Sequence, residues 1–536
     1  MRKILAWRPD VLVLSLWAIV VGGTIVRFVG LDFGLPLTIK SDEGLVVDTA
    51  RGMVERRSFE PGRFEWPNHL GIMATYLAFV FITPLWHGML VEQAINEVEI
   101  GYFHLIARGV TAAFGVATIF LAYYIGKRFH KIVGVFAAAL FAFMPHYVEE
   151  SHYATPDVPL TAAVLAVVLA AMVYVNKPTM PMLLVMSLMT TLSIMAKYPG
   201  ALGTVVIAAV VIAAAIRDRA WLRIPGHGII SALSVGVFLF ILTPEMFTNR
   251  HVVLRRITNE ARGTHLGADG LTFTEKLGFY AGNYFGYTGV IILVFSIAGV
   301  WFVIKNWRLD AIPLFIGGVF WVALSTLGLH WARWGLPMYI TPLLLAALGA
   351  YFLLNLARSA TKARRAATIG FAVVGGFALV TQVLASVATT GTFLREDTRQ
   401  IALKDFDTRG ITDQNTIYEG YTPFRARWFD TIFDDVVVRD GTVNVRDPDV
   451  RYVLLSSSMY GRFMAESERF PRENLIYELL DKDYELITTY RAESPGVSFP
   501  FSNIRAIAAL QSLANTNQGA TGGPTMKLYS VPNQSR

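Results

Sequence analysis

Residues 11–44 read VLVLSLWAIVVGGTIVRFVGLDFGLPLTIKSDEG. An apolar run from Val11 to Val29 is followed, within a dozen residues, by the adjacent carboxylates Asp42 and Glu43. About 20 apolar residues suffice for a helix to cross a bilayer. The run continues into Arg27 and Phe28 without a small-residue cleavage site, so it reads as a retained first helix and not a signal peptide. Arg2, Lys3 and Arg8 precede it, and the positive-inside rule then puts the N-terminus in the cytoplasm. The Asp-Glu pair lies outside.

The rest of the chain has the same character. Of 536 residues, 54% are hydrophobic and only 16% charged, against roughly one quarter charged in a soluble domain. About eleven apolar runs are long enough to span. This is a polytopic α-helical membrane protein, which excludes soluble, fibrous and disordered classes. The absence of cysteine excludes disulfides, thiolate metal sites and a cysteine nucleophile.

After the first helix, spans are expected near 101–126, 132–147, 158–175, 180–196, 200–216, 227–243, 284–304, 311–329, 336–355 and 367–388. This threading places about 16 Lys and Arg in cytoplasmic segments and about two in the short external turns. The net charge of +7 is thereby a topology signal, and no nucleic-acid partner is expected. Residues 70–90 are apolar enough to cross. Crossing would put Glu92, Glu97 and Glu99 inside and Lys127, Arg128 and Lys131 outside, so the stretch is read as lying along the outer interface. The first external loop is then 31–100 and the second long one 244–283. Together, residues 1–390 form the membrane domain. Residues 391–536 turn polar and read as an external soluble α/β domain, with a helix at 395–406, a Gly/Asn/Thr-rich loop at 515–524 and strands near 416–418, 435–438, 450–456, 484–490 and 526–531.

Chemistry-bearing residues cluster at the external ends of helices. Adjacent like charges at Asp42 and Glu43 would raise one pKa and make a general base; Ser41 and Asp42 equally read as a helix cap. Asp157, in Tyr153-Ala154-Thr155-Pro156-Asp157-Val158-Pro159-Leu160, is either a cap or a second acidic group facing the first. Lys197 (with Tyr198 in Lys-Tyr-Pro-Gly) and Arg333 (with Trp334 in His330-Trp331-Ala332-Arg333-Trp334) are external cations suited to an anionic phosphate or to snorkelling. Residues 250–262 read as an amphipathic interfacial helix, followed by His265 in a glycine-containing loop. His69, His146 and His152 lack metal-ligand spacing, so no metal site is assigned.

In this order and on this side, these motifs resemble the membrane glycosyltransferases of the GT-C class, in particular the family 39 protein mannosyltransferase-like enzymes and the lipid A aminoarabinose transferase. The resemblance spans about residues 1–390. Where some relatives place a Lys-Pro pair, this chain has Trp66-Pro67-Asn68-His69, and Trp334 stands where Tyr is common. The resemblance implies a transferase that uses a polyprenyl-phosphate-linked sugar donor and a protein, lipid or polysaccharide acceptor. Asp42 would be the general base and act with inversion, with Glu43 and Asp157 orienting it or binding sugar hydroxyls. Lys197, Tyr198, Arg333, Trp334 and His265 would bind substrate and phosphate. No cofactor is required, though a divalent cation is compatible with the chemistry. Transfer of a larger lipid-linked glycan is the rival reading among enzymes. A flippase is the rival outside them, weakened by the absence of repeats and of mid-membrane ionisable residues.

Overall fold

The computed structural model describes residues 11–64, 68–260, 262–359, 364–424, 429–491 and 522–532. Arg2, Lys3, Arg8, Trp66, Pro67 and residues 515–521 lie outside the described residues. The membrane-side helices, in chain order, are α1 (Val11–Phe28), α2 (Ser41–Arg56), α3 (His69–His87), α4 (Val91–Glu97), α5 (Ile100–Lys127), α6 (Lys131–Phe143), α7 (Pro145–Ser151), α8 (Asp157–Asn176) and α9 (Met180–Ala196). They continue with α10 (Gly203–Asp218), α11 (Arg223–Leu242), α12 (Glu245–Thr248), α13 (Arg250–Glu260), α14 (Phe273–Lys305), α15 (Ile316–Ser325), α16 (Gly335–Ser359) and α17 (Arg364–Phe393). Among the described residues, nine helices are long and apolar enough to cross a membrane, or ten if α6 and α7, bent by 56°, count as one span. Shorter apolar helices at Met180–Ala196 and Leu309–Ser325 add to these. The protein is a multi-pass membrane protein.

Helix α3 is long enough to cross, yet both of its ends sit at the same end of the bundle. His69 Nε2 donates to Arg63 O at 2.7 Å and lies 3.5 Å from Glu245, just past α11. The His87 ring is 4.5 Å from that of Tyr102, in the first turn of α5. Helix α3 therefore returns the chain to the end it left. At the opposite end Asp310 accepts from Arg128, Asn176 and Arg308, and Arg217 reaches the Val175 carbonyl.

Two breaks in the spans have local causes. Pro145 has no N–H to give the Phe141 carbonyl, so the expected span over 132–147 ends at Phe143 and the chain turns into α7. Arg27, buried in the last turn of α1, donates instead to Phe141 O at 2.8 Å and Ala142 O at 2.7 Å, and Ser386 takes Phe143 O. The second break is Gly289 in α14, with φ 80° and ψ 174°. Helix α14 begins at Phe273, well before the expected 284. Close packing of α14 on α16 needs small residues: a Cβ on Gly299 would stand 1.9 Å from Leu345 O.

Beyond α17, α18 (Thr398–Arg409) starts at an Asp397–Gln400 capping box. The strands are β1 (Thr416–Tyr418), β2 (Val436–Arg439), β3 (Thr442–Val445), β4 (Tyr452–Ser456), β5 (Glu485–Tyr490) and β6 (Met526–Ser530), with α19 (Ser457–Ala465) and α20 (Pro471–Asp483) between β4 and β5. The main sheet has the order β1-β4-β6-β5; β1 pairs parallel to β4 and the other pairs are antiparallel. Its buried core includes Val453, Leu455, Ile476, Tyr477, Leu480 and Tyr529. The unexpected strand is β3. It follows a tight turn at Asp440-Gly441, both with positive φ, and Asp-Gly is a hairpin signal that could have been read from the sequence.

Replacing Arg27 by Met keeps most of its volume but leaves the Phe141 and Ala142 carbonyls unpaired, at about 1–3 kcal/mol each. The thermal unfolding midpoint of the detergent-purified variant should fall clearly below that of the wild type. An unchanged midpoint would mean that water satisfies those carbonyls.

Candidate active site

Asp42 and Glu43 are neighbours in sequence but face opposite surroundings. Helix α2 is preceded by Lys40 as its cap residue, which makes no side-chain cap bond, so the capping reading of Asp42 does not hold. Glu43 points inward and is fully buried. Its carboxylate takes two bonds from Arg108, Nε at 2.9 Å and Nη2 at 2.8 Å, and a third from the Ala154 N–H at 3.0 Å. Arg108 Nη1 also donates to Leu31 O and Phe33 O, and its guanidinium lies 3.8 Å from the Phe33 ring centre. Glu43 anchors the loop and does not border the cavity that Asp42 lines, so of its two expected roles its position fits orienting Asp42 and not binding sugar hydroxyls. The expected like-charge pair does not form, because its two members never face each other.

Asp42 faces Arg333 and is ion-paired to it. Burial by itself would raise the Asp42 pKa. The Arg333 guanidinium, with Lys40 and Lys197 nearby, outweighs that and holds the carboxyl below its ordinary value, opposite to the raised value expected from adjacent carboxylates.

Asp157 is the first residue of α8 and makes no cap bond, since the cap residue is Pro156. Its side chain is 1% exposed and accepts from Lys197 Nζ at 2.8 Å, with Arg333 Nε 3.8 Å from its other oxygen. Lys197 reaches it because the chain reverses tightly after α9. A Cβ on Gly200 would stand 2.0 Å from Ser193 O, so only glycine fits there. Arg333 is held by its turn: His146 Nε2 donates to Ala332 O at 3.1 Å and the Tyr147 hydroxyl to Leu336 O at 2.6 Å.

These groups line a cavity of about 540 Å³ at one end of the bundle. Asp42, Asp157, Lys197, Tyr198, Arg333, Trp334 and His265, expected from the sequence, all border it. Two of them play a different part from a polar ligand. The Tyr198 hydroxyl donates to Phe64 O at 2.7 Å, leaving its ring as wall, and Trp334 lies 5.3 Å beneath Lys197 Nζ as a cation–π partner. His265 sits 5.0 Å from the Trp331 ring; burial, with Arg262 and Arg462 nearby, lowers its pKa and keeps it neutral at pH 7.

The sequence reading missed Lys40, Glu150, Tyr421, Phe429 and Arg462, which also line the cavity. Lys40 lies two residues before Asp42 and packs 4.1 Å over the Tyr153 ring. Glu150 was legible as the outer end of an expected span. The last three come from the C-terminal region, and no local motif marks them. Among the described residues no group of three or more His, Cys, Asp or Glu side chains is placed to hold a metal ion.

The family model described as dolichyl-phosphate-mannose-protein mannosyltransferase matches residues 101–245. The chain resembles the GT-C membrane glycosyltransferases. The matched segment carries Asp157, Lys197 and Tyr198; Asp42 and Arg333 lie outside it. Among solved structures, ArnT from Cupriavidus metallidurans bound to undecaprenyl phosphate is similar at 13% identity and a TM-score of 0.46, over 74% of this chain and 72% of that one. The Archaeoglobus fulgidus oligosaccharyltransferase in complex with Zn and sulfate is similar at 11% identity and a TM-score of 0.49, over 96% and 88%. No curated protein matches the sequence.

Removing the Glu43 side chain leaves the buried Arg108 charge uncompensated, a loss of about 3–5 kcal/mol. Glu43→Ala should thus lower the unfolding midpoint sharply, whereas Asp42→Asn should leave it nearly unchanged. Equal stability of the two variants would contradict this division of roles.

Proposed function

We propose that the protein is a membrane glycosyltransferase that moves a sugar from a polyprenyl-phosphate donor to an acceptor hydroxyl on the extracytoplasmic side, with inversion and with Asp42 as general base. One observation carries this reading. Asp42, Lys197 and Arg333, each at the end of a different helical segment, meet at a single cavity at one end of the bundle. The assignment of that end to the outside is supported by Lys127, Lys131, Lys177, Arg217 and Arg308, which belong to the opposite end.

Lys197 and Arg333 supply two cations for the donor phosphate. Asp157, almost fully buried, keeps Lys197 in position through their ion pair. The acceptor oxygen attacks the anomeric carbon as the bond from that carbon to the phosphate oxygen breaks. The acceptor proton passes to the Asp42 carboxylate. The electron pair of the broken bond stays on the polyprenyl phosphate, whose charge rises from one to two. Fixed cations stabilise that growing charge without reorganisation, and a phosphate leaving group needs no general acid. When the donor phosphate engages Arg333, the guanidinium's hold on Asp42 weakens and the carboxylate becomes a better base.

Asp42→Asn should lower sugar release from a labelled polyprenyl-phosphate donor by about 10²–10⁴-fold, and Lys197→Ala by about 10²–10³-fold. Turnover should survive a chelator; loss of turnover on chelation would favour a diphosphate-linked donor. Because Arg333 lowers the Asp42 pKa, the base stays ionised down to pH values below the ordinary carboxylate range. Wild-type kcat/KM should be flat through pH 5, and in Arg333→Gln the acid limb of the residual activity should move to higher pH. Undiminished turnover in Asp42→Asn would overturn the assignment of the base.

A further inference from the structure

The cavity has a second wall, built by the C-terminal region, that the proposed chemistry leaves unused. Tyr421 follows β1 and has a positive φ of 66°. Its ring stands edge-on to Phe429 at 6.2 Å, Phe429 to His265 at 5.1 Å, and His265 to Trp331 at 5.0 Å. Arg333 then lies over Trp331 at 5.7 Å, which joins this row of rings to the ion pair of Asp42. On α19, Arg462 packs 5.3 Å from both the Tyr421 and the Phe429 ring centres and donates through Nη2 to the Tyr421 hydroxyl at 3.3 Å. Among the described residues its buried Nη1 has no hydrogen-bond partner. Phe429 is 48% exposed although it borders the cavity.

The wall is fixed to the membrane-side loop. The Gly267 N–H donates to Glu466 at 2.9 Å, Arg469 pairs with Asp269 at 2.9 Å, and Gly267 packs on the Arg462 stem. Inverting displacement requires the acceptor on the face of the sugar opposite the phosphate. In the proposed arrangement Lys197 and Arg333 hold the phosphate, which leaves the C-terminal wall of the same cavity for the acceptor.

Resting on the function proposed above, we infer that Tyr421, Phe429 and Arg462 form the acceptor subsite and that the acceptor they select is a saccharide. A sugar ring has an apolar C–H face that suits an aromatic ring and a rim of hydroxyls that suits a planar guanidinium with an unused N–H. One mode of peptide recognition adds a strand to an open sheet edge, and among the described residues no strand residue lines this cavity.

Two measurements test this. In saturation-transfer NMR with the full-length protein in detergent, a panel of neutral disaccharides should give ring-proton signals. Those signals should fall at least fivefold in Phe429→Ala and Tyr421→Ala and persist in Asp42→Asn. In steady-state transfer, Phe429→Leu and Arg462→Lys should raise the KM of a saccharide acceptor about tenfold and leave the donor KM in place. Signals from a Ser/Thr peptide and from no disaccharide, or an acceptor KM indifferent to all of these changes, would overturn the inference. Loss of donor binding in the Phe429 and Tyr421 variants would overturn it too, by assigning the wall to the donor sugar. Normal disaccharide binding with no turnover of any polyprenyl-phosphate donor would instead overturn the function proposed above and leave the saccharide site standing.

Discussion

Arg108 donates four hydrogen bonds in a fully buried setting, two to Glu43 and two to the carbonyls of Leu31 and Phe33. Its guanidinium also lies over the face of Phe33. Burying two charges is costly, and the bidentate geometry together with the Ala154 N–H offsets that cost. The pair ties the loop after α1, the start of α2, the third turn of α5 and the turn before α8 into one unit. Successive residues of a helix point about 100° apart, so turning Glu43 inward turns Asp42 toward the cavity. The placement of the proposed base thus depends on a pair that never touches substrate.

The remaining groups of the site are held by the same means: helix ends that the fold has made to converge, with each freed backbone group given a partner. Arg27 and Ser386 take the carbonyls released where α6 stops, and His146 and Tyr147 of α7 then hold the turn that carries Arg333. In a bilayer such compensation is obligatory, since an unpaired backbone group has no water to bond. The C-terminal region is seated on the same end of the bundle. Arg399 bonds to Ile39 O at 3.2 Å and Gln400 to Leu35 O at 3.0 Å, in the loop that leads to Asp42.

Much of the architecture was legible in the sequence. Most spans lie within a few residues of their expected positions because apolar length and Lys/Arg asymmetry are properties of local composition. Asp157, Lys197 and Arg333 stood out because charge at the outer end of an apolar helix is unusual, and the structure brings all three to one cavity with Asp42. Strand β3 was missed although Asp440-Gly441 announced its hairpin. The α14 start was missed because polar residues near Tyr280 and Asn283 hid a helix that runs unbroken from Phe273 to the kink at Gly289.

The sequence by itself determined the class of molecule, the order of its spans and which charged residues stand at outer helix ends against the Lys/Arg asymmetry. Those are one-dimensional facts, set by the free energy of moving each segment into lipid. Only the tertiary structure decided that Glu43 is an anchor and Asp42 a cavity residue. It also decided that the Asp42 pKa is lowered and that Arg462 and two aromatic rings from the far end of the chain close the site. Each of those depends on what stands across a gap of a few ångströms, and residues 43 and 108, or 42 and 333, have no local signal that announces the other.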